Sequence, residues 1–369
     1  MAFALAVGFS LTVLSGCGVK AVAYDEYGYF GSLTRVVTYE ELGEDKTKIK
    51  NVLNDVDGAI SLSVEGSDVR AFNDAQPGET IEISRVGYEI FTLAMQAYAL
   101  TDGAYNPAVG LLVDLWGFSP RFNDSDYAPV KPYDRERQSV PNAKYIEAFK
   151  KEEVTDFGEV KLLKEDSKYY VTKPNTSVEV DGVTYSMQID LGGIGKGYAA
   201  DKCAEIVDKR ENYYVSVGAS SLVLGANAKT PDGAPNEGSW KVTLASPRGE
   251  SSYMSVFAKN VSASTSGDYE RYFVQDGKRY SHIIDPSTGY PIDNGVATVS
   301  LFGATSAEGD TLTTALMVMG RNKAIDFIRN NLTGCKVAIA TYEGEAGKVY
   351  TNMSDSDFEL SSSFEIEKF

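Results

Sequence analysis

One histidine, His282, occurs in 369 residues. That scarcity excludes a catalytic scheme or metal centre built from several imidazoles, so any imidazole chemistry rests on one ring. Cysteine is nearly as rare. Cys17, Cys203 and Cys335 are too few for a disulfide framework, and they lack metal-ligand spacing. Cys203 and Cys335 read as small core residues, with a single bridge between them left open. Positive charge is short as well: 35 Lys and Arg stand against 52 Asp and Glu, a net charge of −17. A field of that sign opposes nucleic acid and anionic membrane surfaces, so no nucleic-acid partner is expected. Any phosphate-bearing ligand would need local help from a cation, a lysine or backbone N–H groups.

What is present is ordinary globular material, 43% hydrophobic and 24% charged, enough for a sizeable core. Residues 1–16 carry no charge and are too short for a comfortable membrane span. They suit the apolar core of a secretory signal peptide, or a buried N-terminal helix. Leu14-Ser15-Gly16-Cys17 resembles a bacterial lipobox, although no Lys or Arg precedes the run. The expected organisation is a lipoprotein signal peptide over 1–16, a tether over 17–27 and one domain over 28–360. Lipidation at Cys17 would anchor that domain to the extracytoplasmic face of a bacterial cell membrane.

Helical spacing of Val86, Ile90, Leu93, Ala94 and Ala97 predicts a helix near 85–100. A second short helix is expected over 108–117, and residues 119–186 are polar and Tyr-rich. Further on, strands are expected at 213–217, 221–225, 240–245, 253–258, 270–275, 280–284, 296–302 and 336–342. Helices are expected at 195–209, 306–319 and 322–331. Many strands at hairpin spacing with a few helices give an α+β fold with mixed, largely antiparallel sheets.

Four motifs carry chemistry. Asp190-Leu191-Gly192-Gly193-Ile194-Gly195-Lys196-Gly197-Tyr198 leads from a strand-like stretch into a helix. Its glycines allow close backbone approach, and the helix start with Lys196 suits a phosphate. The spacing fits neither a dinucleotide fingerprint nor a Walker loop. Asp310 and Thr314, four apart on a predicted helix, put a carboxylate and a hydroxyl on one face. Those are two hard donors for Mg²⁺, or else a solvated Asp and a Thr bonded back to a carbonyl. Ser262-Ala263-Ser264-Thr265-Ser266-Gly267-Asp268-Tyr269 reads as a small, polar turn. In Ser281-His282-Ile283-Ile284-Asp285-Pro286-Ser287-Thr288-Gly289-Tyr290-Pro291, a rigid loop is expected to hold an imidazole close to a carboxylate.

In order, these motifs closely resemble the FAD:protein FMN transferase family. Phe30-Gly31-Ser32, Phe72-Asn73 and Asp102-Gly103-Ala104-Tyr105-Asn106-Pro107-Ala108 add to the match, which runs from about 28 to 350. The resemblance implies a flavin transferase fold with a FAD cleft. It also implies Mg²⁺-dependent transfer of FMN from FAD to a Ser or Thr hydroxyl of an acceptor flavoprotein, with release of AMP. It assigns the metal to the Gly193 carbonyl, the Asp310 carboxylate and the Thr314 hydroxyl. FAD contacts fall to Asp190 and Lys196, with Phe30, Asn106, Pro107, Ala108 and Ile284 lining the flavin and adenine sites. This chain departs from many relatives at Phe30 and Asn106, and some relatives carry a second Asp at the Thr313 position. His282 or Asp310 would take the proton of the incoming hydroxyl. The same residues would serve a Mg²⁺-dependent FAD pyrophosphatase. A flavin-carrying lipoprotein without catalysis is the third reading.

Overall fold

Nine strands of the largest sheet lie side by side in the order in which they occur in the chain. They are Val22–Tyr29, Ser32–Thr38, Tyr213–Val217, Ser221–Leu224, Val261–Gly267, Val296–Phe302, Lys336–Glu343, Ala346–Thr351 and Phe364–Lys368. Every pairing is antiparallel except the last, which is parallel. The structure is a computed structural model that describes residues 9–11, 21–119, 139–210, 212–226, 239–249, 252–343, 346–361 and 363–369. The chain divides into two compact units. The first holds Met1–Asn54, Lys196–Gly267 and Asn294–Phe369; the second holds Asp55–Gly195 and Asp268–Asp293. Both mix helices with mostly antiparallel strands, as the α+β expectation requires.

In the first unit, the period-two alternation of strands decides what faces what. Leu222, Leu224, Ala263, Ala338 and Ala340 bury one face of the large sheet in an apolar cluster. Trp240, Val242, Leu244, Met254 and Val256 meet them from a second sheet. That sheet is made of Phe9–Leu11, Trp240–Ala245, Ser252–Ala258 and Phe358–Leu360. Burial of each large side chain contributes about 1.5–3 kcal/mol. The intervening residues, Ser221, Ser264 and Ser266, serve the opposite face, where the helix Ser306–Asn331 packs. Small polar side chains there let helix and sheet approach closely. This explains why Ser262–Gly267, expected to be a turn, is strand. Thr305 caps the helix in a reciprocal box with Glu308. The Asp201 carboxylate also accepts the N–H groups of Ser306 and Ala307, both at 2.9 Å. The helix breaks at Gly320, where φ is +73°, between the two helices expected there.

The second unit carries the helix Arg85–Leu100, as expected, capped by the Ser84 hydroxyl. A three-stranded sheet is formed by Thr80–Ile83, Lys168–Thr172 and Lys161–Glu165. Leu112, Trp116, Phe118, Ile146, Phe149 and Ile284 share its apolar cluster. The hairpin Tyr272–Gln275 and Lys278–Ser281 stacks Phe273 and Tyr280 on Trp116. The glycine-rich helix, Gly192–Val207, carries the chain from the second unit into the first.

The strand Val22–Tyr29 begins inside the stretch expected to be a tether, and the helix Asp45–Ile60 follows two strands. Cys17, with nearly all of the expected signal peptide, lies outside the described residues. Among the described residues, no helix is long and apolar enough to cross a membrane.

Candidate active site

Asp310 sits in the second turn of the helix Ser306–Asn331 and is 7% exposed. Its Oδ2 accepts the Gly197 N–H at 2.7 Å. The Ser221 hydroxyl reaches both carboxylate oxygens, at 2.8 Å and 3.1 Å. Close approach of two helices makes the first contact possible. A β-carbon on Gly197 would lie 2.2 Å from the Ser306 carbonyl oxygen, so only glycine fits there. Burial pushes the Asp310 carboxyl up to about 7. Lys196, the Ser221 and Ser264 hydroxyls and the Gly197 N–H all pull the other way, toward the charged form. The site is thus built for a carboxylate but leaves it short of positive charge.

Thr314 lies one turn on and is half-buried. Its hydroxyl donates to the Asp310 carbonyl at 3.0 Å and lies 3.2 Å from Ser266 Oγ. A hydroxyl that gives its proton to a carbonyl keeps lone pairs to offer elsewhere. The back-bonded threonine read from the sequence is therefore present, but the Asp beside it is buried rather than solvated. Thr313, where some relatives carry Asp, is fully buried. It is committed to the Gly309 carbonyl at 2.9 Å and to Ser266 Oγ at 2.8 Å.

Lys196 is half-buried in the same unit. Its stem runs beneath the Gly218-Ala219 turn, with Cδ 2.9 Å from where a Gly218 β-carbon would be. Ala219 takes φ +54°, a left-handed conformation that costs an L-residue roughly 1–2 kcal/mol. Phe30, also at φ +54°, forms the tip of the first hairpin, with its ring 6.4 Å from that of Tyr29.

The remaining expected residues belong to the second unit. Asp190 Oδ1 accepts the Gly192 N–H at 2.7 Å, which caps the start of the glycine-rich helix. Gly193 follows, one turn before Gly197 on that helix. The Asp190 N–H donates to the Pro107 carbonyl at 2.9 Å, so these two FAD-contact candidates meet. Asn106 Oδ1 accepts the Ala108 N–H, and its Nδ2 donates to the Thr155 carbonyl, both at 2.9 Å. Ala108 and Ile284 are buried, Ile284 within the aromatic cluster. Asn73, noticed in the sequence only as part of a motif, pairs with the Ile189 peptide unit through both ends of its amide, at 2.8 and 2.9 Å. It fixes the strand-like lead into the glycine-rich turn.

His282 is half-buried. Its Nδ1 lies 3.2 Å from the Arg271 carbonyl, and its backbone N–H donates to the same oxygen at 3.0 Å. A carbonyl can only accept, so Nδ1 carries the proton and Nε2 of the neutral ring is the basic nitrogen. Nδ1 meets this backbone oxygen, not the Asp285 carboxylate expected to lie close by. Asp285 Oδ1 instead accepts the Ser287 N–H at 2.9 Å and the Ser287 hydroxyl at 2.6 Å. A short acidic side chain bends readily onto the backbone two residues ahead. The loop is closed by the Trp116 indole, which donates to the Gly289 carbonyl at 2.9 Å.

The donor set around Asp310 fits a hard divalent ion. Among the described residues no group of three or more His, Cys, Asp or Glu forms a metal cluster. One carboxylate with hydroxyl neighbours is the kind of sparse oxygen set that Mg²⁺ shares with water and substrate phosphates.

The sequence pattern of the ApbE family matches residues 30–339. The FAD:protein FMN transferase of Escherichia coli K12 is 31% identical over 322 residues, 86% of this chain and 82% of that protein. The enzyme of the same name from Salmonella typhimurium is 30% identical over 339 residues, covering 90% and 87%. The solved flavin transferase ApbE from Vibrio cholerae superposes with a TM-score of 0.70 at 26% identity, over 90% of this chain and 97% of that one. The apo flavinyl transferase ApbE of Pseudomonas stutzeri also gives 0.70, at 25% identity and coverages of 91% and 95%. With the glycine-rich helix, the buried Asp310 and the His282 loop all in the matched span, the chain belongs to the ApbE family.

Proposed function

We propose that this chain transfers FMN from FAD to a Ser or Thr hydroxyl of an acceptor flavoprotein, releasing AMP, with Mg²⁺ as cofactor. The observation that carries the reading is Asp310. It is a buried carboxylate held by Gly197 and Ser221, with Lys196 nearby and the Thr314 hydroxyl one turn on. The names of the relatives support flavin transfer, and the sparse oxygen set supports a hard ion. Asp310 and Thr314 would hold that ion, with the Gly193 carbonyl as the third ligand the family resemblance assigns. When bound, it would neutralise charge on the diphosphate of FAD. Lys196 adds a positive charge that the acidic chain otherwise lacks.

The acceptor oxygen forms a bond to the FMN phosphorus, and the bond to the bridging oxygen breaks. AMP leaves with that oxygen. The hydroxyl proton passes to the imidazole of His282, whose Nδ1 lies 3.2 Å from the Arg271 carbonyl. Asp310 is held in place by donors and serves as ligand. Asp190, Asn106, Pro107 and Asn73 shape the backbone that leads into the glycine-rich helix. Phe30, Ala108 and Ile284 are the apolar groups proposed for the flavin and adenine.

Incubation with FAD, Mg²⁺ and an acceptor flavoprotein domain tests this directly. Mass spectrometry should show the acceptor heavier by one FMN, with AMP released, and Asp310→Ala should abolish both. Release of free FMN with an unmodified acceptor would make the chain a FAD pyrophosphatase. FAD left intact would make it a carrier. Cys17 is proposed to carry the lipid that holds the domain at the extracytoplasmic membrane face. Release of a Cys17→Ser variant from the membrane fraction is expected, and its retention would contradict the anchor.

A further inference from the structure

The residues that hold Asp310 come from distant parts of the chain. Ser221 opens the strand Ser221–Leu224 and is fully buried. It stands directly opposite Ser264 in the neighbouring strand and opposite Val217 on the other side. Leu222 and Leu224 turn to the apolar cluster on the far face, so strand alternation turns Ser221 toward the helix that bears Asp310. Its single hydroxyl proton is shared between Oδ1 at 2.8 Å and Oδ2 at 3.1 Å. Gly197 N–H holds Oδ2 from another direction. Two donors that approach one carboxylate from a strand and from a helix fix both its position and the rotation of its plane. Ser264 donates to the Ser306 carbonyl at 3.0 Å at the start of the same helix and also draws Asp310 toward its charged form. Ser221 is the hydroxyl that reaches both carboxylate oxygens of Asp310.

We infer that Ser221 is a positioning residue for the divalent-metal site, orienting the Asp310 carboxylate through its hydroxyl. The inference rests on the metal-dependent reading above. Groups that hydrogen-bond a metal-ligating carboxylate typically set metal affinity by about 10- to 100-fold. A hydroxyl that only filled space would leave that affinity alone once removed.

The full-length protein is titrated with Mn²⁺, a spectroscopic stand-in for Mg²⁺, and free ion is read by electron paramagnetic resonance. The wild type, Ser221→Ala, Ser221→Cys, Ser221→Thr and Asp310→Ala are compared, each with a thermal melt to show that it is folded. Ser221→Ala is expected to raise the Mn²⁺ dissociation constant at least about tenfold, while the rate at saturating metal recovers to within about threefold of wild type. Ser221→Cys, nearly isosteric but a weak donor, should behave alike and stands in if the Ala variant does not fold. Ser221→Thr, which keeps a hydroxyl, should restore affinity. Wild-type Mn²⁺ affinity in a folded Ala or Cys variant overturns the inference while leaving the metal reading intact. If the wild type binds no more Mn²⁺ than Asp310→Ala does, the metal reading itself falls and the inference with it.

Discussion

Asp310 and His282 are both titratable groups in a span that matches the family, yet they are held in opposite ways. Asp310 is 7% exposed and takes its donors from residues 113 and 89 positions away. His282 is half-buried and fixed through the Arg271 carbonyl, 11 positions away and just before the hairpin strand Tyr272–Gln275. The first is a rigid fixture: a charge is buried only where the surrounding fold supplies partners for it. The second is a local device, a loop residue whose tautomer is set by one backbone oxygen. Rigid, distant support suits a group that must hold an ion in place. Local support suits one that must take a proton and give it up again.

After the complete loss expected for Asp310→Ala, the largest effect is expected at the imidazole. His282→Ala should lower kcat for FMN transfer by about 10²- to 10⁴-fold with FAD affinity unchanged, checked by stopped-flow turnover and FAD titration. Loss of FAD binding would make His282 a scaffold residue and erase the contrast with Asp310. Next comes the helix crossing. Gly197→Ala places a β-carbon 2.2 Å from the Ser306 carbonyl oxygen and 2.7 Å from the Ala307 nitrogen. Backbone atoms cannot turn aside as a side chain can, so a loss of about 3 kcal/mol in urea unfolding is expected. Weaker Mn²⁺ binding should follow as the Gly197 N–H shifts off Asp310. A stable variant with unchanged metal affinity would show the crossing to be more yielding than its geometry. The smallest effect belongs to the turn above Lys196. Ala219→Gly relieves roughly 1–2 kcal/mol of left-handed strain and returns about 0.4–1 kcal/mol of freedom to the unfolded chain. A net gain of about 0.5 kcal/mol is expected in the same urea assay. A net loss would mean that the Ala219 methyl packs usefully.

What could be read from the sequence follows the same division. The helix carrying Asp310 and Thr314, the glycine-rich helix start and the His282 loop are local patterns, and each was legible from spacing and turn residues. Strand Val296–Phe302 and strand Trp240–Ala245 were legible to the residue because their apolar runs end sharply. Val22–Tyr29 was not. It is an edge strand with mostly half-exposed side chains, so no alternation marks it. Ser262–Gly267 was hidden for a different reason. Its alternation sets Ser262, Ser264 and Ser266 against Ala263 and Thr265, because a helix lies close above the sheet, and small polar residues in a row resemble a turn. The partners of Asp310 were equally hidden. Nothing in the neighbourhood of Ser221 in the sequence announces a carboxylate 89 residues later. The Asp285 carboxylate, expected only to lie close to His282, binds the backbone and hydroxyl of Ser287 two residues ahead.

The reaction proposed for this chain needs Asp310 and Thr314 to hold a divalent ion. Anomalous diffraction from crystals grown with FAD and Mn²⁺ tests it most directly. A manganese peak should lie about 2.0–2.2 Å from an Asp310 carboxylate oxygen and from Thr314 Oγ1, as expected for a hard ion in near-octahedral oxygen coordination. A peak on other residues, or FAD bound with no ion beside Asp310, would contradict the account.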